Sequence, residues 1–180
     1  MITYRVDTVL SIVTDLDEMR AIIRTDFDQP ALNIIVIIEL MPLGGGECAR
    51  LSLSQYVPNP ETRARIEGEL GPLRELPGGN PSDEARNFRF ESGKGVVAFI
   101  SPVSEPYCGA CNRMRLTADG KFHLCLLNDD ELDVKAALRN GGGEEAVTRI
   151  LLQAVFQKPT GHRLEQGVSP KRRAMFQIGG

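Results

Sequence analysis

Residues 33–40 read NIIVIIEL, an almost uninterrupted apolar run bounded by Pro30 and by the stretch PLGGG at 42–46. A run of this length, closed off by proline and glycine, predicts a strand that is buried on both faces, as in a parallel sheet. Upstream, residues 3–10 alternate like a strand, and residues 15–26 carry an approximate helical stripe behind an N-terminal capping pattern. Strand, helix and strand in succession predict a βαβ unit.

The rest of the chain predicts shorter, mixed elements separated by turns, in keeping with its 18 glycines and 11 prolines. We predict helices over 61–70, 130–139 and 144–157, strands over 87–90 and 95–100, and a hairpin over 116–127 that turns at Asp119-Gly120. The order of elements is therefore α/β at the start and α+β afterwards.

Length, charge and hydropathy exclude several classes of protein. The chain has 180 residues, and its 21 Lys+Arg against 24 Asp+Glu give a formal net charge of −3. The length fits one domain, or one domain with a fragment, and the lack of a basic excess argues against a DNA- or RNA-binding protein. No apolar stretch approaches the roughly 18 to 20 residues that span a bilayer, and the N-terminus shows no signal peptide. We therefore expect a cytoplasmic protein without a membrane partner, in which the cysteines are reduced.

Three of the four cysteines lie in one segment, with Cys108-Gly-Ala-Cys111 followed by Cys125 beyond the predicted hairpin turn. The C-x2-C spacing directs two thiolates at one metal site, and the hairpin returns the third to the same place. Three thiolates suit a [4Fe-4S] cluster with one open iron. They also suit zinc, with His123 on the same strand face as Cys125 serving as the fourth ligand. A redox dithiol and uncoordinated buried cysteines are the remaining alternatives, and Cys48, which stands alone, is interpreted as structural.

Two arginines follow the C-x2-C pair directly, at Arg113 and Arg115. Residues two apart in an extended segment point the same way, so both guanidinium groups can converge on one object. Arginine recognises phosphates and purine edges with its planar fork. Beside a cluster with an open iron, this pair predicts a nucleotide site, and surface ion pairing is the alternative.

Two charged runs are interpreted more plainly. The run Lys171-Arg172-Arg173 predicts a solvated basic tail rather than a triphosphate site. The acidic residues Asp129, Asp130, Glu131 and Asp133 precede a predicted helix, where acidic groups are favoured by the helix dipole. They indicate helix capping rather than a magnesium site.

Residues 101–121 read SPVSEPYCGACNRMRLTADGK, and Cys125-Leu126 follows shortly after. This stretch resembles the C-terminal signature of the GTP 3′,8-cyclases, the radical S-adenosylmethionine (SAM) enzymes that begin molybdenum cofactor synthesis. The segments RVDTVL at 5–10 and IELMPLG at 38–44 are similar to the family as well, and so is the ending Gly179-Gly180. The resemblance runs nearly the full chain.

The resemblance implies a reaction with GTP and SAM. In the family, SAM bound to an N-terminal [4Fe-4S] cluster yields a 5′-deoxyadenosyl radical, which takes the C3′ hydrogen of GTP. The resulting radical closes onto C8 of guanine and gives 3′,8-cyclo-GTP. A second cluster, held by three C-terminal cysteines, binds the guanine through its open iron.

By motif, the resemblance also implies roles for individual residues. The cluster ligands would be Cys108, Cys111 and Cys125; the GTP contacts would be Arg5, Arg113, Met114 and Arg115; Met41 would line the SAM pocket; and Gly179 and Gly180 would reach into the active site as a tail without side chains.

The sequence departs from the family in the part that cleaves SAM. No cysteine precedes Cys48, so the family's C-x3-C-x2-C loop is absent from these residues, and Asp7 and Val36 replace the family's Asn and Arg. We therefore expect residues 1–47 to be the last βαβ unit of a partial (β/α) radical-SAM barrel. Residues 48–180 are expected to form a small α+β iron–sulfur domain that binds GTP, and these residues alone should not cleave SAM.

A barrel remnant of this size leaves a parallel strand edge and an apolar face uncovered. The run Ile34 to Ile38 is then expected to mediate aggregation or association, either with an N-terminal radical SAM half or with a second copy in a homodimer. Light scattering that showed a monodisperse monomer would contradict this expectation.

Overall fold

The computed structural model describes residues 34–43, 46–91, 93 and 95–178. The predicted strand at 3–10 and helix at 15–26 lie outside the described residues. The strands are β1 (Ile34–Ile38), β2 (Leu73–Glu75), β3 (Ala85–Phe90), β4 (Val96–Ile100), β5 (Arg115–Leu116), β6 (Lys121–His123) and β7 (Glu131–Asp133). The α-helices are α1 (Gly46–Ser54), α2 (Asn59–Leu70), α3 (Val134–Arg139), α4 (Gly143–Gln157) and α5 (Met175–Ile178). Within the described part of the chain, none of the helices is both long enough and apolar enough to cross a membrane.

The described residues form two compact units, one of residues 34–39 and 57–105 and the other of residues 40–56 and 106–178. The mixed α/β character predicted for the chain is confirmed, whereas the barrel ancestry of residues 1–47 and the domain boundary after residue 47 stay predictions.

The first unit contains a four-stranded sheet in the order β1-β4-β3-β2. Strand β1 runs parallel to β4, with Ile34 opposite Val96 and Ile38 opposite Ile100, while the other neighbouring pairs are antiparallel. The predicted strand at 33–40 and its parallel pairing are therefore confirmed, and so are the strands predicted over 87–90 and 95–100.

The prediction that β1 is buried on both faces is wrong. Ile34, Val36 and Ile38 are about half exposed, whereas Ile35 and Ile37 pack against the core. The described residues cover only the face of β1 that carries Ile35 and Ile37. The apolar face expected to drive association is thus partly exposed, and the association itself stays a prediction.

The core of the first unit lies between the sheet and helix α2. It consists of Ile66, Leu73, Phe88, Phe90, Val97 and Phe99. The rings of Phe88 and Phe99 meet edge to face, with centroids 5.5 Å apart, a favourable arrangement for aromatic quadrupoles. Helix α2 confirms the helix predicted over 61–70, although it begins earlier because proline fits the first turn of a helix.

A buried carboxylate, Glu39, joins the end of β1 to two other segments of the first unit. Its oxygens accept hydrogen bonds from the backbone N–H groups of Asn59, at 2.8 Å, of Val103, at 2.9 Å, and of Ser104, at 3.0 Å, and from the Ser104 hydroxyl. The Asn59 N–H is one of the unpaired donors at the start of α2, where a negative charge is favoured. Glu39 therefore caps α2 from a distant position and orders the loop that follows β4.

We predict that Glu39→Gln lowers the free energy of unfolding by about 2 kcal/mol and that Glu39→Ala lowers it by about 3 kcal/mol or more. The amide places donors against backbone donors, and alanine leaves one buried and two partly buried N–H groups without an acceptor. Urea unfolding followed by circular dichroism measures the loss. Glu75→Gln is the control, because Glu75 is exposed on β2, and it should change the free energy of unfolding by less than about 0.5 kcal/mol. Equal losses of stability in Glu39→Gln and Glu75→Gln would contradict the prediction.

The second unit contains a three-stranded antiparallel sheet in the order β5-β6-β7. The predicted hairpin turn at Asp119-Gly120 is confirmed. Gly120 has φ +85°, and a Cβ there would lie 2.5 Å from the Cβ of Lys135, so glycine is required on both counts. The turn sets the register in which β6 returns toward the cysteine loop.

Of the two helices predicted in the second unit, the first starts later than expected and the second is confirmed. Residues 131–133 form strand β7, and helix α3 starts only at Val134, because Asp133 takes the N-cap and accepts a hydrogen bond from the Ala136 N–H at 2.7 Å. Helix α4 confirms the helix predicted over 144–157, but its apolar stripe is only partly buried: Ala154 is inaccessible, while Val155 and Phe156 are largely exposed.

Candidate cluster and nucleotide site

The C-x2-C segment forms the compact turn that its spacing predicts. Cys108–Ala110 is a single turn of 3-10 helix, and the N–H of Cys111 donates to the carbonyl of Cys108 at 3.1 Å. Cys111 itself has an extended backbone, with φ −71° and ψ 117°, and the chain then runs without a turn into β5. The two cysteines therefore stand at the two ends of one tight turn.

The third cysteine is returned by the hairpin. Strand β6 ends at His123, and Cys125 opens a turn in which the Asn128 N–H donates to the Cys125 carbonyl at 3.2 Å. Burial raises the pKa of the Cys125 thiol, while a hydrogen bond from the Leu127 N–H and the charge of Lys158 oppose the rise. Negative charge on Cys108 and Cys111 raises that pKa further.

The donor chemistry of these residues fits a thiolate-ligated cluster. Cys108, Cys111 and Cys125 are free thiols, partly exposed and not consumed in disulfides. Within residues 34–43, 46–91, 93 and 95–178, no three His, Cys, Asp or Glu side chains are grouped so as to hold a metal ion. A [4Fe-4S] cube takes each thiolate on a different iron, so its ligands stand farther apart than those around a single ion.

Zinc with His123 as the fourth ligand stays the alternative to a cluster. Strand β6 ends at His123, and Cys125 lies two residues beyond its end, so the expectation that the two residues share a strand face stays a prediction. The imidazole is buried, with Nδ1 3.4 Å from a carboxylate oxygen of Glu131. Burial lowers the pKa of His123, and the neighbouring carboxylate of Glu131 opposes this effect.

The structure places the predicted nucleotide residues directly after the cysteine turn. Arg113, Met114 and Arg115 are all partly buried, and the guanidinium carbon of Arg113 lies 5.9 Å from the centroid of the Tyr107 ring. Arg115 begins β5 and pairs with His123 across the sheet. The arginines are thus carried on a backbone fixed at both ends, by the turn and by the sheet.

Of the other residues that the resemblance implies, Met41 is the one that lies among the described residues. Met41 is partly buried in the segment after β1, and nothing in its surroundings identifies a ligand. Arg5, Gly179 and Gly180 lie outside the described residues, as do Gly44 and Gly45. Their roles stay predictions.

The interpretation of residues 171–173 as a solvated tail is wrong for Arg173. Its guanidinium pairs with Glu131 and with Asp119, the latter at 2.9 Å, and its side chain is only 13% exposed. The carboxylate of Asp129 accepts the backbone N–H groups of Lys171 and Arg172 at 3.0 to 3.1 Å. Of the acidic residues interpreted as helix caps, only Asp133 caps α3, because Asp129 and Glu131 hold the C-terminal segment instead.

We predict that Arg173→Leu lowers the free energy of unfolding at pH 7 by about 1–3 kcal/mol, because Glu131, whose side chain is 10% exposed, loses its guanidinium partner. The hydrogen bond from Arg173 lowers the pKa of Glu131 below its ordinary 4.5. This stabilisation is therefore complete above about pH 4.5 and is lost as the pH falls through the lower pKa of the folded chain.

The measurement for Arg173 is urea unfolding of both chains at pH 7 and at pH 3. The difference in stability should shrink at pH 3. Arg172→Leu is the matched control, because its side chain is exposed and its backbone N–H to Asp129 is retained. A difference that grows on acidification would contradict the assignment.

Sequence reasoning missed Lys158, which follows the last residue of α4. Its ammonium donates to the carbonyl oxygens of Arg113, at 2.7 Å, and of Leu124, at 2.9 Å. The sequence held only a weak signal, since a lysine at the end of a helix and before a proline is typical of an ordinary helix terminus.

Fold and site together define an α/β chain in which a tight turn and a returning hairpin present three free cysteines beside two arginines. The family described as Molybdenum Cofactor Synthesis C matches residues 33–164. The chain belongs to this family.

Curated relatives agree with this assignment. Over 146 residues the chain is 44% identical to the GTP 3′,8-cyclase of Moorella thermoacetica. The alignment covers 81% of this chain and 44% of that protein. Over 179 residues it is 36% identical to the GTP 3′,8-cyclase of Pelotomaculum thermopropionicum. This alignment covers 98% of this chain and 53% of that protein. The chain spans about half the length of these relatives, and the family resemblance drawn from its motifs is confirmed.

Proposed function

We propose that this chain supplies the substrate-side part of a GTP 3′,8-cyclase in molybdenum cofactor synthesis. In this proposal Cys108, Cys111 and Cys125 hold a [4Fe-4S] cluster, and the residues beside them bind GTP. The observation that carries it is the set of three free, partly exposed thiols presented by one tight turn and by the segment that follows the hairpin, in a chain that belongs to the Molybdenum Cofactor Synthesis C family.

The cysteines are suited to this role by their surroundings. When bound, a three-cysteine cluster supplies one iron with an open coordination position, to which a nucleotide base can bind. The chain's own part is to keep the three thiols reduced, partly exposed and separate, which the free and half-buried cysteines satisfy. Each thiol would give up its proton to bind iron as a thiolate.

The arginines are suited to the nucleotide. Arg113 and Arg115 follow the turn in extended backbone, so both forks can converge on one ligand. Tyr107 lies against the Arg113 guanidinium, which holds the cation near the cysteine turn without neutralising it. Met114 lies between them, and we assign it to the same site.

The remaining functional assignments complete the proposal. Arg5 would contact GTP, Met41 would line the SAM pocket, and Gly179 and Gly180 would enter the active site. The 180 residues contain no C-x3-C-x2-C, so on their own they should bind cluster and GTP without cleaving SAM. Cleavage then requires an N-terminal radical SAM half, in the same chain or as a partner.

The test is anaerobic reconstitution of the 180-residue chain with iron and sulfide, followed by equilibrium dialysis against GTP. We expect a brown protein with visible charge-transfer absorption, roughly four irons and four sulfides per chain, and GTP binding that exceeds ATP binding. A colourless chain that instead takes up one zinc would overturn the proposal, and so would a loaded chain without affinity for GTP.

A further inference from the structure

Lys158 joins the two parts of the second unit that carry the cysteines. Its ammonium donates to the carbonyl oxygens of Arg113, at 2.7 Å, and of Leu124, at 2.9 Å. Arg113 lies two residues after Cys111, and Leu124 immediately precedes Cys125. One side chain therefore ties the C-x2-C segment to the returning end of the hairpin.

The residues that follow contact the same two segments. A Cβ built on Gly161 would lie 3.7 Å from the Cβ of Cys108, so the backbone passes close to the first cysteine. The buried Asn128 donates from its side chain to the Gly161 carbonyl at 3.5 Å and from its backbone to the Cys125 carbonyl at 3.2 Å. Residues 158–161 thus contact the chain next to all three cysteines, and Lys158 supplies the two shortest hydrogen bonds of the set.

We propose that Lys158 is a positioning residue, which holds the C-x2-C turn and the Cys125 segment together for the cluster and fixes the backbone of Arg113 for the nucleotide. This inference rests on the proposed function and adds to it a residue that touches neither ligand. Lys158 acts by holding the carbonyl groups of Arg113 and Leu124. It thereby positions the main chain that carries the Arg113 guanidinium and the Cys125 thiol.

The chemistry of lysine suits this task. An ammonium has three donors, no acceptor and a compact charge on a flexible stem, so it can reach two carbonyl groups that face it from different segments. Hydrogen bonds from a charged donor are stronger than those between neutral groups. A positive charge near thiolate ligands also favours electron uptake by whatever they bind, because it stabilises the added negative charge.

The experiment compares Lys158→Met with the wild-type chain after anaerobic reconstitution. Methionine keeps most of the length and removes the charge and both hydrogen bonds. We expect iron to be lost to a chelator 10- to 100-fold faster, in line with other groups that orient metal ligands, together with a lower cluster reduction potential and about tenfold weaker GTP binding. Lys158→Arg keeps the charge and at least two donors, and it should restore most of the potential and of the iron retention.

Lys135→Met is the matched control, because Lys135 is an exposed lysine of α3 in the same unit and should leave all three readouts unchanged. Hydrogen exchange of the metal-free chains is the second measurement, and it is independent of loading. Lys158→Met should exchange faster only in residues 111–115 and 123–128, and the rest of the second unit should keep its protection.

The outcomes separate this inference from the proposed function. A wild-type chain that fails to load overturns both. A wild-type chain that loads, beside a Lys158→Met chain with unchanged iron loss and potential, overturns the role of Lys158 and leaves the cluster in place. Loss of protection throughout the second unit overturns it as well, because it would show that Lys158 supports the whole unit rather than the site.

Discussion

Cys125→Ser should leave the chain unable to hold an iron–sulfur cluster. A three-cysteine site has no spare ligand, and a serine hydroxyl is a poor substitute for a thiolate on iron. Iron and sulfide should fall from roughly four each to near zero per chain, and the visible absorption should disappear. Chemical analysis of iron and sulfide after anaerobic reconstitution measures the effect, and Cys108→Ser and Cys111→Ser should behave alike.

The cysteine outside the constellation provides the control. Cys48→Ser removes a thiol that lies outside the C-x2-C segment and the hairpin in the sequence, so this chain should load like the wild type. His123→Ala distinguishes the two metal chemistries: a three-cysteine cluster should survive it, whereas a Cys3His zinc site would lose its fourth ligand. Retention of iron by Cys125→Ser, or equal loss in Cys48→Ser, would refute the assignment of the ligands.

The elements that sequence predicted well are those fixed by local chemistry. The hairpin turn needs a glycine that tolerates φ > 0 and leaves room for Lys135. The dipeptide Asp119-Gly120 predicts such a turn from the sequence. The C-x2-C turn likewise follows from its spacing. Helix α4 has enough periodic apolar residues to identify it, α2 is recognisable as a short charged helix, and only their boundaries shift.

Predictions failed where a distant part of the chain decides the outcome. The run at Ile34–Ile38 has the composition of a doubly buried strand, yet only Ile35 and Ile37 pack against the core, and the other three residues are about half exposed. Arg173 reads as part of a basic tail, and its partners Glu131 and Asp119 are more than 40 residues away. No local pattern contains that information.

The same reason explains why two anchoring residues escaped notice. Glu39 belongs to the apolar run in the sequence, and its acceptor role becomes visible only when Asn59 and Ser104 are brought to it. Lys158 follows a helix and reads as an ordinary helix end until the carbonyl groups of Arg113 and Leu124 are found against it. Motifs name the groups that meet a ligand, whereas the residues that place those groups are set by tertiary contacts.

Substitution of both arginines after the cysteine turn should produce the largest loss of nucleotide affinity. A hydrogen bond to a charged group contributes about 1.5–3 kcal/mol, and 1.4 kcal/mol corresponds to a tenfold change in affinity. Arg113→Met and Arg115→Met should each weaken GTP binding to the reconstituted chain by about 10- to 100-fold, and the double substitution should do so by more. Isothermal titration calorimetry measures the change, with the iron content of each variant confirmed first.

The choice of ligand shows which part of GTP the arginines hold. If their forks grip the phosphates, binding of inorganic triphosphate should weaken with GTP and binding of guanosine should not; if they read the purine edge, guanosine should weaken instead. Arg113→Lys and Arg115→Lys keep the charge and lose the fork, so they should recover binding in the first case more than in the second. Arg139→Met, at an exposed position on α3, is the control for the loss of one positive charge from the unit. Unchanged GTP binding in a fully loaded double variant would mean that the arginines serve the fold alone, because a nucleotide beside the cluster would then be held without them.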